Sequence, residues 1–266
     1  MLHAVIPMAG EGARFAKSGY DLPKPLVMMQ GKPLFWWAAT GVRTMLPLAS
    51  LTVVVLRRHI DAHAIDARVR EYFPEARIVV LDQLLNGPVL TCLAGAAALP
   101  DDMPVLFHDC DLLFRSSALA AWAKGLAAGT CEEGGLLTSF SADNPAFSYL
   151  VESAPGQVAR TVEKQVVSRH AICGGYVFRN RTIFTDAATH YLDHCPYREF
   201  YMSGVYNSLI AQGHPVSHLA LDRHLSFGTP EELADAVLPL VSAGLFLPDA
   251  ACPSKAGSEA AAETKT

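Results

Sequence analysis

The sequence predicts an α/β fold, with a mostly parallel mixed sheet flanked by helices, in one domain over about residues 1–248. Three observations carry this expectation. Short apolar runs at 3–8, 51–56, 76–81 and 103–114 have the length and residue types of buried strands. Segments with helical patterning separate them, and strands alternating with helices favour a parallel sheet. The 266 residues are 51% hydrophobic and 18% charged, enough for a sizeable core.

Composition also narrows the partners. A net charge of −5 argues against nucleic acid, whose binders usually carry a basic stripe. The six cysteines (92, 110, 131, 173, 195 and 252) form no C-x-x-C pair. They read as reduced thiols of a cytoplasmic protein rather than a disulfide or zinc framework. No stretch approaches the ~20 apolar residues of a membrane helix, and the first apolar run is too short for a signal peptide. A homo-oligomer is left open.

The first strand, 3–8, runs into Ala9, Gly10, Glu11 and Gly12. Glycines at this place let backbone N–H groups approach an anion, and Arg14 adds a planar fork of donors suited to phosphate. Lys24 lies between Pro23 and Pro25, on what should be a stiff extended segment. A dinucleotide fingerprint would need a third glycine where Phe15 stands, and no Gly-Lys-Ser/Thr ending marks a Walker loop. Instead, the compound pattern GxGxRF followed by PKPLV resembles the sugar-phosphate nucleotidyltransferases, the NDP-sugar pyrophosphorylase family. That resemblance implies a Rossmann-like sheet of the nucleotide-diphospho-sugar transferase type. It implies a triphosphate wrapped by residues 9–12, with Arg14 and Lys24 as the catalytic cations and Mg²⁺ as cofactor.

Pro33 opens a helix in which Phe35, Trp36 and Ala39 can face the sheet, with Trp36 and Trp37 as packing residues. A strand at 51–56, a charged helix at 61–73 and a strand at 76–81 follow. Gly87 and Pro88 open a helix that Pro100 ends. The resemblance places Gln83 and Gly87 where the family reads the nucleobase, a pyrimidine being preferred; alternatively they are a solvated loop residue and a turn. The run at 103–114 carries Asp109 and Asp111, two apart and so on one face if the strand continues. By resemblance Asp111 is the Mg²⁺ ligand, with Asp109 an open candidate beside it. Carboxylates beyond a strand end suit that ion, and His108 reads equally well as a packing residue.

A helix at 116–128 precedes glycine-rich punctuation and strands at 136–140, 148–152 and 158–164, the last two joined by a hairpin turn. The resemblance implies an NTP-binding half over about residues 1–115 and an acceptor-binding half over about 116–248. Glu163-Lys164 resembles the family's Glu-Lys-Pro element for the sugar phosphate, with Gln165 in place of proline, and Gly174 lies on the matching glycine-aromatic strand. Helices near 181–191 and 200–212, a strand at 216–221 and a helix at 229–242 complete the domain. Thr229, Pro230 and Glu231-Glu232 suit the start of the last helix. Ser226 stands where many family members have a second metal-binding Asp. Residues 249–266 lack large apolar side chains and read as a disordered tail.

The implied reaction moves a nucleoside monophosphate from an NTP to a phosphorylated acceptor, a sugar 1-phosphate first, with release of pyrophosphate. A cytidylyltransferase for a phosphate such as phosphocholine is the alternative, as is a non-catalytic nucleotide-sugar-binding regulator. A glycosyltransferase with an Asp-x-Asp metal motif is a further class, but it has no triphosphate for Lys24 to neutralise.

Overall fold

The computed structural model describes residues 1–126 and 132–241; the tail expected at 249–266 lies outside the described residues. Chain order begins with β1 (Leu2–Pro7), α1 (Ala13–Lys17), a 3-10 turn at Lys24–Leu26, the short pair β2 (Met28–Met29) and β3 (Lys32–Pro33), and α2 (Leu34–Met45). Next come β4 (Leu48–Leu56), α3 (Arg57–His63), α4 (Ile65–Tyr72), β5 (Arg77–Leu81), α5 (Pro88–Ala96), β6 (Val105–His108), β7 (Leu112–Arg115) and α6 (Ser117–Gly125). The rest is β8 (Gly135–Ser141), β9 (Tyr149–Ala154), β10 (Gln157–Val162), β11 (His170–Phe178), α7 (Arg181–His194), α8 (Met202–Ala211), β12 (Val216–Ala220), β13 (Arg223–Ser226) and α9 (Pro230–Val241).

Among the described residues, nine strands form one sheet in the order β5-β4-β1-β6-β11-β8-β12-β10-β9. The expected mixed sheet is present, parallel from β5 to β6 and largely antiparallel beyond. Alternation along β1 divides the core. Leu2, Ala4 and Ile6 pack with Phe35, Ala39, Val69 and Leu119 on one face, while Val5 packs with Val89, Cys92, Phe184 and Val205 on the other. Helices therefore cover both faces, as a sheet with a parallel half requires.

A third, smaller core positions the site. Phe15 of α1, Val27 after the 3-10 turn, Trp37 of α2, Leu113 of β7, Phe227 and Leu233 of α9 pack together. Trp37 is a packing residue, as expected, and its indole N–H donates to the Met29 carbonyl at 2.9 Å.

Three expectations change in detail. The helix at 61–73 is two helices, because Ala64 takes a left-handed φ of 49° between α3 and α4. Lys24 does not sit on an extended segment: it starts the 3-10 turn, closed by Val27 N–H to Lys24 C=O at 3.1 Å. The apolar run at 103–114 is not one strand. It breaks after His108, and β7 leaves the large sheet to pair with β13. Asp109 and Asp111 therefore occupy a bend, not one strand face.

Candidate active site

Two cavities, of about 400 and 240 Å³, share Arg14, Asp109 and Asp111. The loop after β1 and the bend after β6 form their common edge, since those strands are neighbours. The larger cavity is lined by Ala9, Gly10 and Glu11, by Lys24, and by Gly87 with Leu84 and Leu85. A Cβ built on Gly10 would meet nothing within 4 Å, so this backbone borders open space that a ligand can approach. Gly12 lies behind that wall, where its φ of 67° turns the chain into α1 and presents Arg14.

Lys24 Nζ contacts Asp111 Oδ2 at 2.7 Å, both side chains being about four-fifths buried, at 21% and 18% exposure. Burial alone would disfavour the ammonium, but the Asp111 carboxylate keeps Lys24 protonated well above the ordinary lysine range. Burial likewise opposes the charge on Asp111, and Lys24 with Arg14 outweighs it, holding that carboxyl below its usual range. Asp109 has the opposite balance. Burial and the like charge of Asp111 push it up to about 7, and Lys24 offsets this only in part.

Gly174 explains how Asp109 is accommodated. The register of β11 shifts between Ile172 and Tyr176, a bulge that Thr138 Oγ1 pins by donating to Gly175 C=O at 3.0 Å. Asp109 N–H donates to Gly174 C=O at 2.9 Å, and any Cβ at 174 would collide with the Asp109 carboxylate. Gly174 also lines the smaller cavity, with Ser148, Phe140, Phe147 and Tyr176.

Other sequence candidates sit farther out. Gln83 is exposed and lines neither cavity; Leu84, Leu85 and Gly87 occupy the edge beyond β5. Gly87 has φ 91°, and a Cβ there would come 2.6 Å from the Phe200 nitrogen, so α5 starts tightly against the 195–201 loop. That loop brings Glu199 to the larger cavity, a residue no local sequence signal singled out. Glu163 lies one residue behind the wall of the smaller cavity, accepting from the hydroxyls of Ser148 and of Ser203. Lys164, with φ 53°, donates to Tyr201 Oη at 2.7 Å and lines neither cavity.

The donor set fits a hard divalent ion shared with a ligand. Asp109, Asp111 and Glu232 carboxylates and the Ser226 hydroxyl line one cavity, and all are oxygen donors of the kind Mg²⁺ takes. Gly228 leaves a cradle between two of them: a Cβ there would lie 2.6 Å from Asp111 Oδ2 and 3.3 Å from Glu232 Oε2. No group of three or more His, Cys, Asp or Glu side chains among the described residues is arranged to hold a metal unaided. Phosphate oxygens would have to supply the remaining ligands.

Residues 4–170 match the model of the MobA-like NTP transferase domain. The chain belongs to this nucleotidyltransferase family. No curated protein sequence matches it. Solved structures of the NTP transferase fold resemble it at low identity. The nucleoside-diphosphate-sugar pyrophosphorylase from Vibrio cholerae RC9 has a TM-score of 0.76 at 20% identity, covering 88% of this chain and 99% of that one. The inositol-1-phosphate CTP transferase from T. maritima has a TM-score of 0.71 at 14% identity, covering 90% of this chain and 94% of that one. In this family member, no helix among the described residues is long and apolar enough to cross a membrane.

Proposed function

We propose that this NTP transferase is a sugar-1-phosphate nucleotidylyltransferase, which moves a nucleoside monophosphate from an NTP to the phosphate of its acceptor and releases pyrophosphate. The carrying observation is the pair of adjoining cavities that meet at Arg14, Asp109 and Asp111. One is floored by the glycine loop and Lys24 and suits a triphosphate; the other suits a small acceptor.

The acceptor phosphate needs no general base. Its second pKa is about 6, so it is largely ionised near neutral pH. An acceptor oxygen attacks the α-phosphorus, the bond to the β-phosphate oxygen breaks, and that electron pair leaves on pyrophosphate. The obstacle is bringing two anions together, so catalysis rests on positioning and charge. Amides of residues 9–12 would hold the triphosphate, while Arg14 and Lys24 neutralise it. Asp111 and Asp109 would hold Mg²⁺, which screens phosphate charge when bound. Glu163 would position Ser148 at the acceptor wall, and Lys164 would meet the acceptor at the outer rim. Gly87 would approach the base, and a pyrimidine is the preferred one, although Gln83 is too far out to support that choice.

The acceptor cavity also supports a second reading. Phe140, Phe147 and Tyr176 line it, and Arg14 is its one basic lining residue among those described. Aromatic faces attract a quaternary ammonium, which makes phosphocholine a reasonable second acceptor class. Pyrophosphate release, measured for each NTP with Mg²⁺ and a panel of sugar 1-phosphates and phosphocholine, tests both. No release with any pair would refute the catalytic reading and favour a nucleotide-sugar-binding regulator.

A further inference from the structure

The position that Ser226 leaves without a carboxylate is surrounded by chain that compensates for it. Ser226 ends β13 opposite Leu112, and Phe227 N–H donates to Asp111 C=O at 2.9 Å, so this segment is fastened directly to the Asp111 bend. Two residues on, Gly228 has no side chain, and the space it leaves lies between the carboxylates of Asp111 and Glu232. Glu232 lines the same cavity as Asp109 and Asp111.

Glu232 is held in place by a reciprocal cap. Its Oε2 accepts from Gly228 N–H at 2.9 Å and Thr229 N–H at 3.1 Å, while Glu232 N–H donates to Thr229 Oγ1 at 3.1 Å. Those bonds occupy one carboxylate oxygen and fix the side chain. The other oxygen, Oε1, takes part in none of them. The cap accounts for the approach of Oε2 to Gly228; it does not account for the position of the side chain on the cavity wall beside Asp109 and Asp111.

We propose that Glu232 supplies a protein carboxylate for the divalent cation in addition to Asp111 and Asp109, taking over the role that Ser226 cannot perform. The inference rests on the nucleotidyltransferase reading but is tested without turnover. The carboxylate arrives from the first turn of α9 instead of from the strand end, and it remains a helix cap at the same time. Ser226 is then free to be a small neutral residue, since a fourth negative group beside Asp109, Asp111 and Glu232 would add repulsion without adding a needed ligand.

The experiment is a Mn²⁺ titration followed by the electron paramagnetic resonance of free Mn²⁺. It uses the full chain with each of the four non-hydrolysable NTP analogues. Glu232→Gln keeps a carbonyl oxygen for the two capping amides and removes the charge. It should weaken Mn²⁺ binding at least about tenfold, the scale on which even residues supporting metal ligands act. Adding Ser226→Asp to that variant should restore most of the loss. Thr229→Ala breaks the same cap without touching the carboxylate and should leave Mn²⁺ binding near the parent value. The proposal is overturned if Glu232→Gln overlays the parent, if Thr229→Ala weakens binding equally, or if the parent binds no Mn²⁺ with any analogue. A Glu232-dependent Mn²⁺ site in a chain that releases no pyrophosphate would keep this inference and remove the catalytic reading. Mg²⁺-dependent turnover with unchanged Mn²⁺ binding in Glu232→Gln would do the reverse.

Discussion

Replacing Lys24 by Met tests whether the lysine is part of the resting structure as well as a phosphate contact. Its ammonium lies 2.7 Å from Asp111 Oδ2. At an effective dielectric of about 20, unit charges at that separation attract by roughly 6 kcal/mol before desolvation. Removing one partner of a fully buried pair costs about 3–5 kcal/mol, because the other charge is left unsolvated. Here the pair borders a cavity, so the lower end applies, and Lys24→Met should lose about 3 kcal/mol of stability. For a chain of this size that is a fall in melting temperature of roughly 6–12 °C. Asp111→Asn alone strands the lysine and should cost a similar amount, whereas Lys24→Met with Asp111→Asn removes both charges and should recover most of the loss. Urea unfolding of the four proteins gives the coupling energy, expected at about 2–3 kcal/mol. Coupling below about 0.5 kcal/mol would show that the pair does not form in solution. Turnover should stay low in all three variants, by roughly 10²–10³-fold for loss of a single preorganised charge contact.

Gly174→Ala should reduce turnover at least about tenfold while the fold survives, because the new methyl group must displace the Asp109 carboxylate; wild-type rates would show that Asp109 has no fixed place in catalysis. Lys164→Ala should raise the acceptor KM or lower kcat with little change in NTP affinity, and calorimetry showing a large loss of NTP binding would move Lys164 to the donor side. His59 carries a pH prediction: burial, then Arg58 and His63, lower its pKa from 6.5 to about 4. Between those values the unfolded chain binds a proton that the folded chain refuses, so stability is full above pH 6.5 and falls as pH drops toward 4. Solvent screening keeps the loss below the unscreened limit of about 1.4 kcal/mol per unit. Urea unfolding at pH 7 and pH 5 should show a smaller loss in His59→Leu than in the parent, and equal losses would exclude His59 as the cause.

The parts legible in the sequence are those whose cause is local. The glycine loop, Arg14 and the PKP segment carry their chemistry within a few residues, and the period of β1 shows which of its side chains enter the core. Long-range causes were hidden. Gly87 and Gly174 stand out as glycines, yet the reasons lie at Phe200 and Asp109, more than sixty residues away in each case. The break after His108 is invisible in an unbroken apolar run, because it follows from the pairing of β7 with β13 more than a hundred residues later. The sequence shows Glu232 only as an acid suited to a helix start, since its capping bonds and its place on the cavity wall depend on where β13 ends. Nothing near Lys24 in the sequence announces its partner Asp111, so the sequence alone supports only a phosphate contact there.

Topology then explains why two motifs a hundred residues apart make one site. The chain lays β4 and β5 on one side of β1, returns, and places β6 on the other side. Such a reversal opens a crevice at the C-terminal ends of the two strands flanking it, because their connections leave in opposite directions. β1 and β6 run parallel with Val5 opposite Phe107, so they end together, and the 9–12 loop must face the 109–111 bend. Beyond β6 the next neighbour, β11, runs antiparallel and carries its bulge beside Asp109. The crevice is thereby walled on its far side by β11 and the strands beyond it. Asp109 and Asp111 line both cavities because they lie where the parallel and antiparallel parts of the sheet join.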